Sequence, residues 1–217
     1  PSVSTVVQQS RRNYFFTATP KFSAKHERGM NNADVYGHNL ITVSADELLD
    51  CGAIIPPTVN VHTFDTVRTK EEVAEHDADT VLRVLVKDDA ERVLVSAPSA
   101  RIINAMMAFT DIFRELRSRD YNVMTITSKH GAIINGVKTS RAKFFEALDQ
   151  FSNRGEKFVL FHYSILSEGI NVHGLTNVVL LRNLSTVEMA QTIGRVIRLD
   201  SVDRKRVSDG TLQPRAY

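Results

Sequence analysis

Gln191, Arg195 and Arg198 stand four and then three residues apart, so on a helix all three would project from one face over two turns. Two guanidiniums displayed in that way must face solvent, a partner or an anion. A solvated basic face is the alternative reading of the same pair. Gly194, next to Arg195, costs a helix roughly 1 kcal/mol relative to Ala, which calls for a reason such as close approach by a backbone or a ligand. Ile193, Val196 and Ile197 leave the opposite face for a core.

The other candidate chemistries are weaker. Gly131, Gly136 and Lys138 come near the pattern of a phosphate-cradling loop, but that motif needs Lys directly after the second Gly, and Val137 breaks the register. Asp46 and Glu47 imitate a magnesium-binding pair, yet Ser44 before them fits an N-cap, with both acids in a first helical turn where the macrodipole favours them. No two of the 7 His have the i,i+4 spacing of a zinc helix, so no metal site is expected. Ser99, Ser164 and Ser167 lack the Gly-x-Ser-x-Gly elbow of a hydrolase nucleophile.

Apolar runs of strand length alternate with segments of helical period, the pattern of a mostly parallel sheet covered by helices on both faces. Strands are predicted at Tyr14–Ala18, Val59–Phe64, Arg92–Ser96, Asn122–Thr127, Lys157–His162 and Asn177–Arg182. Ser44 opens a helix over Ala45–Cys51 that Gly52 ends. Thr69 and Glu72 make a capping-box spacing ahead of a helix to about Val86. Pro98 suits the first turn of a helix reaching Ser118, and a second capping box, Ser185 with Glu188, opens the helix that carries the two arginines. The polar stretch from Lys21 to Tyr36 reads as a linker or exposed loop.

Composition bounds these readings. The 217 residues, 42% hydrophobic and 24% charged, fit one α/β domain with an appendage or two small domains, and exclude a disordered chain. One cysteine, Cys51, excludes an intrachain disulfide framework and a cysteine-based zinc cluster and fits a reducing compartment. No run approaches the roughly 18 apolar residues of a membrane span, so the expected location is the cytoplasm, without membrane contact. The net charge of +2 is too small to argue a nucleic-acid partner by itself.

Three segments in order carry a resemblance: Thr17-Ala18-Thr19-Pro20, then Ser167-Glu168-Gly169-Ile170-Asn171-Val172, then Gln191-Thr192-Ile193-Gly194-Arg195-Val196-Ile197-Arg198. They resemble motifs III, V and VI of superfamily-2 helicases and translocases, nearest the branch of phage DNA helicases and restriction-enzyme motor subunits. Arg92–Arg101 looks like the motif IV strand and turn, and His130-Gly131 with Arg141 and Phe145 looks like the histidine-glycine loop and helix that follow, which makes Gly131–Thr139 a loop insertion.

The resemblance implies a three-layer RecA-like domain over residues 37–200. Residues 1–36 would be the end of a first such domain and a linker, and 201–217 a tail cut short. ATP with Mg²⁺ would lie between two such domains, bound mainly by the first, while Arg195 and Arg198 reach the γ-phosphate and Gln191 supports the nucleotide or the arginine geometry. Gly169 would form the turn near the ribose, with Asn171 where many relatives have Asp. Thr17 and Thr19 would couple hydrolysis to nucleic-acid binding, or be ordinary strand-end threonines. Ser96 and Ser99 flank a turn where free N–H groups make a phosphate seat, or are caps. Lys129, His130, Lys138 and Arg141 would form a basic lip for nucleic acid, or a solvated surface. The expected partner is DNA, with RNA left open. Neither the phosphate loop nor the acidic pair precedes Thr17, so the first ATPase domain is expected to be missing and the fragment alone inactive. The alternative is a non-catalytic α/β module that binds nucleic acid or protein.

Overall fold

The computed structural model describes residues 12–25, 28–61, 69–163, 172, 174–199 and 201–211. The chain divides into two compact units, Pro1–Glu47 and Leu48–Tyr217.

In the first unit, α1 (Ala33–Tyr36) is N-capped by Asn32, whose side chain accepts from the Asp34 amide. Asn31 ties the polar loop through reciprocal bonds with the Ser23 backbone at 3.1 and 3.0 Å. The predicted strand Tyr14–Ala18 is not one: among the described residues the segment pairs with no other strand, and Phe16 is 92% exposed. Strand propensity needs an edge to pair with. Helix α2 (Ala45–Asp50) starts as expected, with Ser44 and Glu47 bonded reciprocally, and Gly52 at φ +67° turns the chain out of it.

The second unit holds a six-stranded sheet of order β4-β3-β2-β5-β1-β6. Its strands are β1 (Arg92–Ser96), β2 (Asn122–Thr127), β3 (Gly131–Ile134), β4 (Val137–Thr139), β5 (Phe158–His162) and β6 (Asn177–Leu180). β1, β2, β5 and β6 run parallel, and β3 and β4 are antiparallel additions. Period-two alternation divides the core between the two faces. Val93, Val95, Val159 and Phe161 enter one cluster, and Leu94, Met124, Phe158 and Leu160 enter the other. The first cluster is covered by α3 (Lys70–Lys87), α4 (Ala100–Phe109) and α5 (Ile112–Ser118), and the second takes Phe144 and Leu148 from α6 (Arg141–Arg154) and Val196 from α7 (Thr186–Val196). This is the expected three-layer α/β arrangement.

Both capping boxes of this unit form, Thr69 with Glu72 on α3 and Ser185 with Glu188 on α7. Thr69→Ala is expected to lower stability by about 1 kcal/mol, read as a lower urea midpoint at unchanged slope; an unchanged midpoint would show the cap to be idle.

Several expectations are corrected. Gly131–Thr139 is no loop insertion but a hairpin, β3 and β4, joined by Asn135 and Gly136 at φ +50° and +83°. Positive φ at both central residues is what an Asn-Gly turn supplies. The helix predicted from Pro98 to Ser118 breaks at Thr110, whose hydroxyl donates to the Met106 carbonyl at 2.7 Å and stops α4. Of the predicted strand Val59–Phe64, residues 59–61 are irregular and 62–64 lie outside the described residues. β6 ends two residues early, at Leu180. The tail forms α8 (Ser201–Ser208), with Val207 partly buried on the second cluster. Among the described residues β6 is a sheet edge, and a groove of about 830 Å³ runs along it between Asp77 and Thr80 of α3 and Met189 and Ile193 of α7.

Candidate functional site

In a parallel sheet the carboxyl ends of the strands share one rim, where ligands of open α/β folds bind. Register places Ser96, at the end of β1, between His162 of β5 and Leu180 of β6. Arg182 follows two residues past β6, and its Nε donates to the Ser96 Oγ at 3.2 Å. The same guanidinium lies 5.1 Å from the centre of the Tyr163 ring and puts Nη2 3.8 Å from Glu188 Oε1. Glu188 belongs to the α7 capping box, where its Oε2 accepts from the Ser185 amide and hydroxyl. Those bonds, and then the Arg182 charge, hold its carboxyl below the usual range.

His162 is 3% exposed, and neither ring nitrogen has a hydrogen-bond partner among the described residues. Burial, then the charges of Arg182 and Arg195, lower its pKa to about 4. Arg195 stands on α7, the helix that follows β6. It is half-buried on α7, and burial first, then the charge of Arg198, shifts its guanidinium below the ordinary value.

Gln191 and Arg195 lie one turn apart on α7, as the spacing predicts, but Arg198 does not continue their helical stripe. α7 ends at Val196, Ile197 is its C-cap, and Arg198 makes an antiparallel bridge with Ile54, beside a bond from the Ile55 amide to the Ile197 carbonyl. Arg198 is exposed there. A Cβ built at Gly194 would meet nothing within 4 Å, so packing among the described residues does not explain that glycine.

Ser99 caps α4, with its Oγ accepting from the Ile102 amide at 3.2 Å. His130 follows β2 in the turn to β3 and contacts Asn104 of α4, Nε2 to Nδ2 at 2.6 Å. Lys129, Lys138 and Arg141 are exposed around this hairpin, and Arg141 lies 5.5 Å from the centre of the Phe145 ring. Thr17 and Thr19 belong to the first unit, where the Thr17 hydroxyl accepts from the Thr19 amide at 3.1 Å. Gly169 and Asn171 lie outside the described residues. Among the described residues no group of three or more His, Cys, Asp or Glu could hold a metal, and no helix is long and apolar enough to cross a membrane.

Sequence reasoning missed Arg182 and His162 as site residues. The available signal was a titratable group at the end of each of two apolar strand runs, but only the register unites them, because Ser96 and Arg182 are 86 residues apart.

Among solved structures, the chain is similar to the ATP-dependent Type ISP restriction-modification enzyme LlaBIII bound to DNA, at 16% identity and a TM-score of 0.53, over 87% of this chain and 15% of that one. The C-terminal part of the Fun30 ATPase domain matches at 15% identity and a TM-score of 0.41, over 58% of this chain and 36% of that one. The C-terminal domain of the DEAD-box protein Dbp5 matches at 13% identity and a TM-score of 0.41, over 65% of this chain and 83% of that one. The chain thus spans a minor part of the first two structures. A search of curated proteins finds no match. The profile of the helicase conserved C-terminal domain matches residues 77–200, which contain the sheet, the rim and α7, and the chain belongs to that family.

Proposed function

We propose that this domain is the second RecA-like domain of an ATP-dependent superfamily-2 DNA helicase or translocase, of the phage or restriction-motor branch, and that Arg195, aided by Arg198, stabilises the phosphoryl transition state of ATP held by a first RecA-like domain. The observation that carries this reading is the placement of the half-buried Arg195 on α7, a capped helix that packs beside β6 and sends Val196 into the core beneath the sheet. A guanidinium partly withdrawn from water acts in a lower dielectric and needs little reorganisation when charge develops nearby. Gln191, one turn earlier, would steady the nucleotide or Arg195, and Gly169 with Asn171 would face the ribose. Carboxylates for Mg²⁺ fall to the other domain in this reading.

DNA would cross the rim beside Ser96 and Ser99 and the exposed Lys129, Lys138 and Arg141, with His130 at the hairpin turn and Thr17 and Thr19 coupling it to the first domain. That the similar LlaBIII structure is bound to DNA supports DNA as the partner. A second reading, a nucleic-acid-binding module without an ATPase role, is favoured by the same basic hairpin.

ATP turnover in a protein that joins this domain to a first domain bearing a phosphate loop separates the two. Turnover that rises severalfold on adding DNA supports the motor. Turnover indifferent to DNA, with DNA still bound and released steeply by salt, supports the module.

A further inference from the structure

We infer that Arg182 is a positioning residue that fixes the rotational setting of α7, and with it the presentation of Arg195; the catalytic part of this rests on reading Arg195 as the transition-state arginine. Nothing in the sequence resemblance marks Arg182, yet it joins three elements at once. Its Nε holds Ser96 at the end of β1, its face covers the Tyr163 ring just beyond β5, and its Nη2 faces Glu188 in the first turn of α7. The side chain is 18% exposed, so this geometry is set within the protein.

Glu188 makes the link specific. One oxygen caps α7 and the other faces Arg182, so a single carboxylate both starts the helix and fastens it to the strand ends. Glu188, Gln191 and Arg195 are spaced i, i+3 and i+7, along one face. A tie at the first of them sets the direction in which the third points. Misplacement of a reacting group by about 1 Å costs on the order of 10²-fold in rate, so a modest roll of α7 is enough to matter. Lysine would replace this arginine only in part, because a point charge can face the carboxylate but cannot serve a hydroxyl and a carboxylate in fixed directions as the planar fork does.

The test uses Arg182→Gln, Arg182→Lys and Glu188→Gln in the motor protein that carries this domain. Glu188→Gln keeps an oxygen for the Ser185 cap and removes the charge, at a partly exposed site where folding is not at risk. The expected result is a fall in kcat of about 10- to 100-fold with KM for ATP little changed. Amide exchange over Met189–Ile193 should speed up roughly tenfold while that of β1 and β5 stays put, and Arg182→Lys should recover part of both. Wild-type kcat with wild-type α7 exchange would overturn the inference. So would a lower kcat with unchanged exchange, since Arg182 would then act on the nucleotide directly. If Arg195→Ala leaves turnover intact while Arg182→Gln loosens α7, the reading of Arg195 fails and the tie stands.

Discussion

Arg195→Ala is expected to lower DNA-stimulated ATP turnover by about 10³-fold or more at saturating ATP, with little change in the KM for ATP. The size follows from where the group sits. Arg195 is held on a capped helix and half-buried, so its charge is partly withdrawn from water, which strengthens its action on charge that develops in the transition state. Arg195→Lys should recover little, because an ammonium lacks the fork that meets two phosphoryl oxygens. Arg198→Ala should cost less, about 10- to 100-fold, since Arg198 is exposed past the helix end and is held by its backbone bridge to Ile54. The double variant should fall well short of the product of the two, as expected for residues acting on one charge. Steady-state turnover with saturating DNA measures all of these; Arg195→Ala at wild-type kcat would sink the assignment.

The contrast between the two arginines shows where sequence patterning stops. Glu188, Gln191, Ile193, Arg195 and Val196 keep helical period despite Gly194, and beyond Val196 the pattern runs on through Ile197 and Arg198. α7 nevertheless ends, because Ile197 and Arg198 pair with Ile54 and Ile55, a partner more than 140 residues earlier that periodicity cannot register. The parallel strands β1, β2 and β5 were legible within a residue of their bounds because their apolar runs are buried on both faces. The hairpin is legible too, through Asn135-Gly136 between β-prone runs, but its glycines and lysine imitate a phosphate loop. Tyr14–Ala18 carries strand composition without a strand to join among the described residues. The rim cluster is of another kind: Ser96, His162 and Arg182 acquire meaning only when three strands are laid side by side.

His162 gives that cluster a signature measurable on the isolated chain. Stability toward urea is expected to fall by on the order of 3 kcal/mol as pH drops from 6.5 to 4. The imidazole pKa is lowered from 6.5 to about 4 in the folded protein. Between those values the unfolded chain binds a proton that the folded chain refuses, so stability rises with pH across the window and is level with respect to this group above it. Asp77 works against this trend at the acidic end. Burial raises its pKa, so its charge costs stability above its folded-state pKa and acidification relieves that cost. His162→Leu isolates the histidine: the variant should be more stable than wild type by about 2 kcal/mol at pH 5 and close to it at pH 7. Parallel pH curves for the two proteins would mean that the ring takes up its proton in the folded state, which requires water or an acid within reach of it. A ring that stays neutral adds no positive charge of its own beside Arg182 and Arg195 when a phosphate approaches.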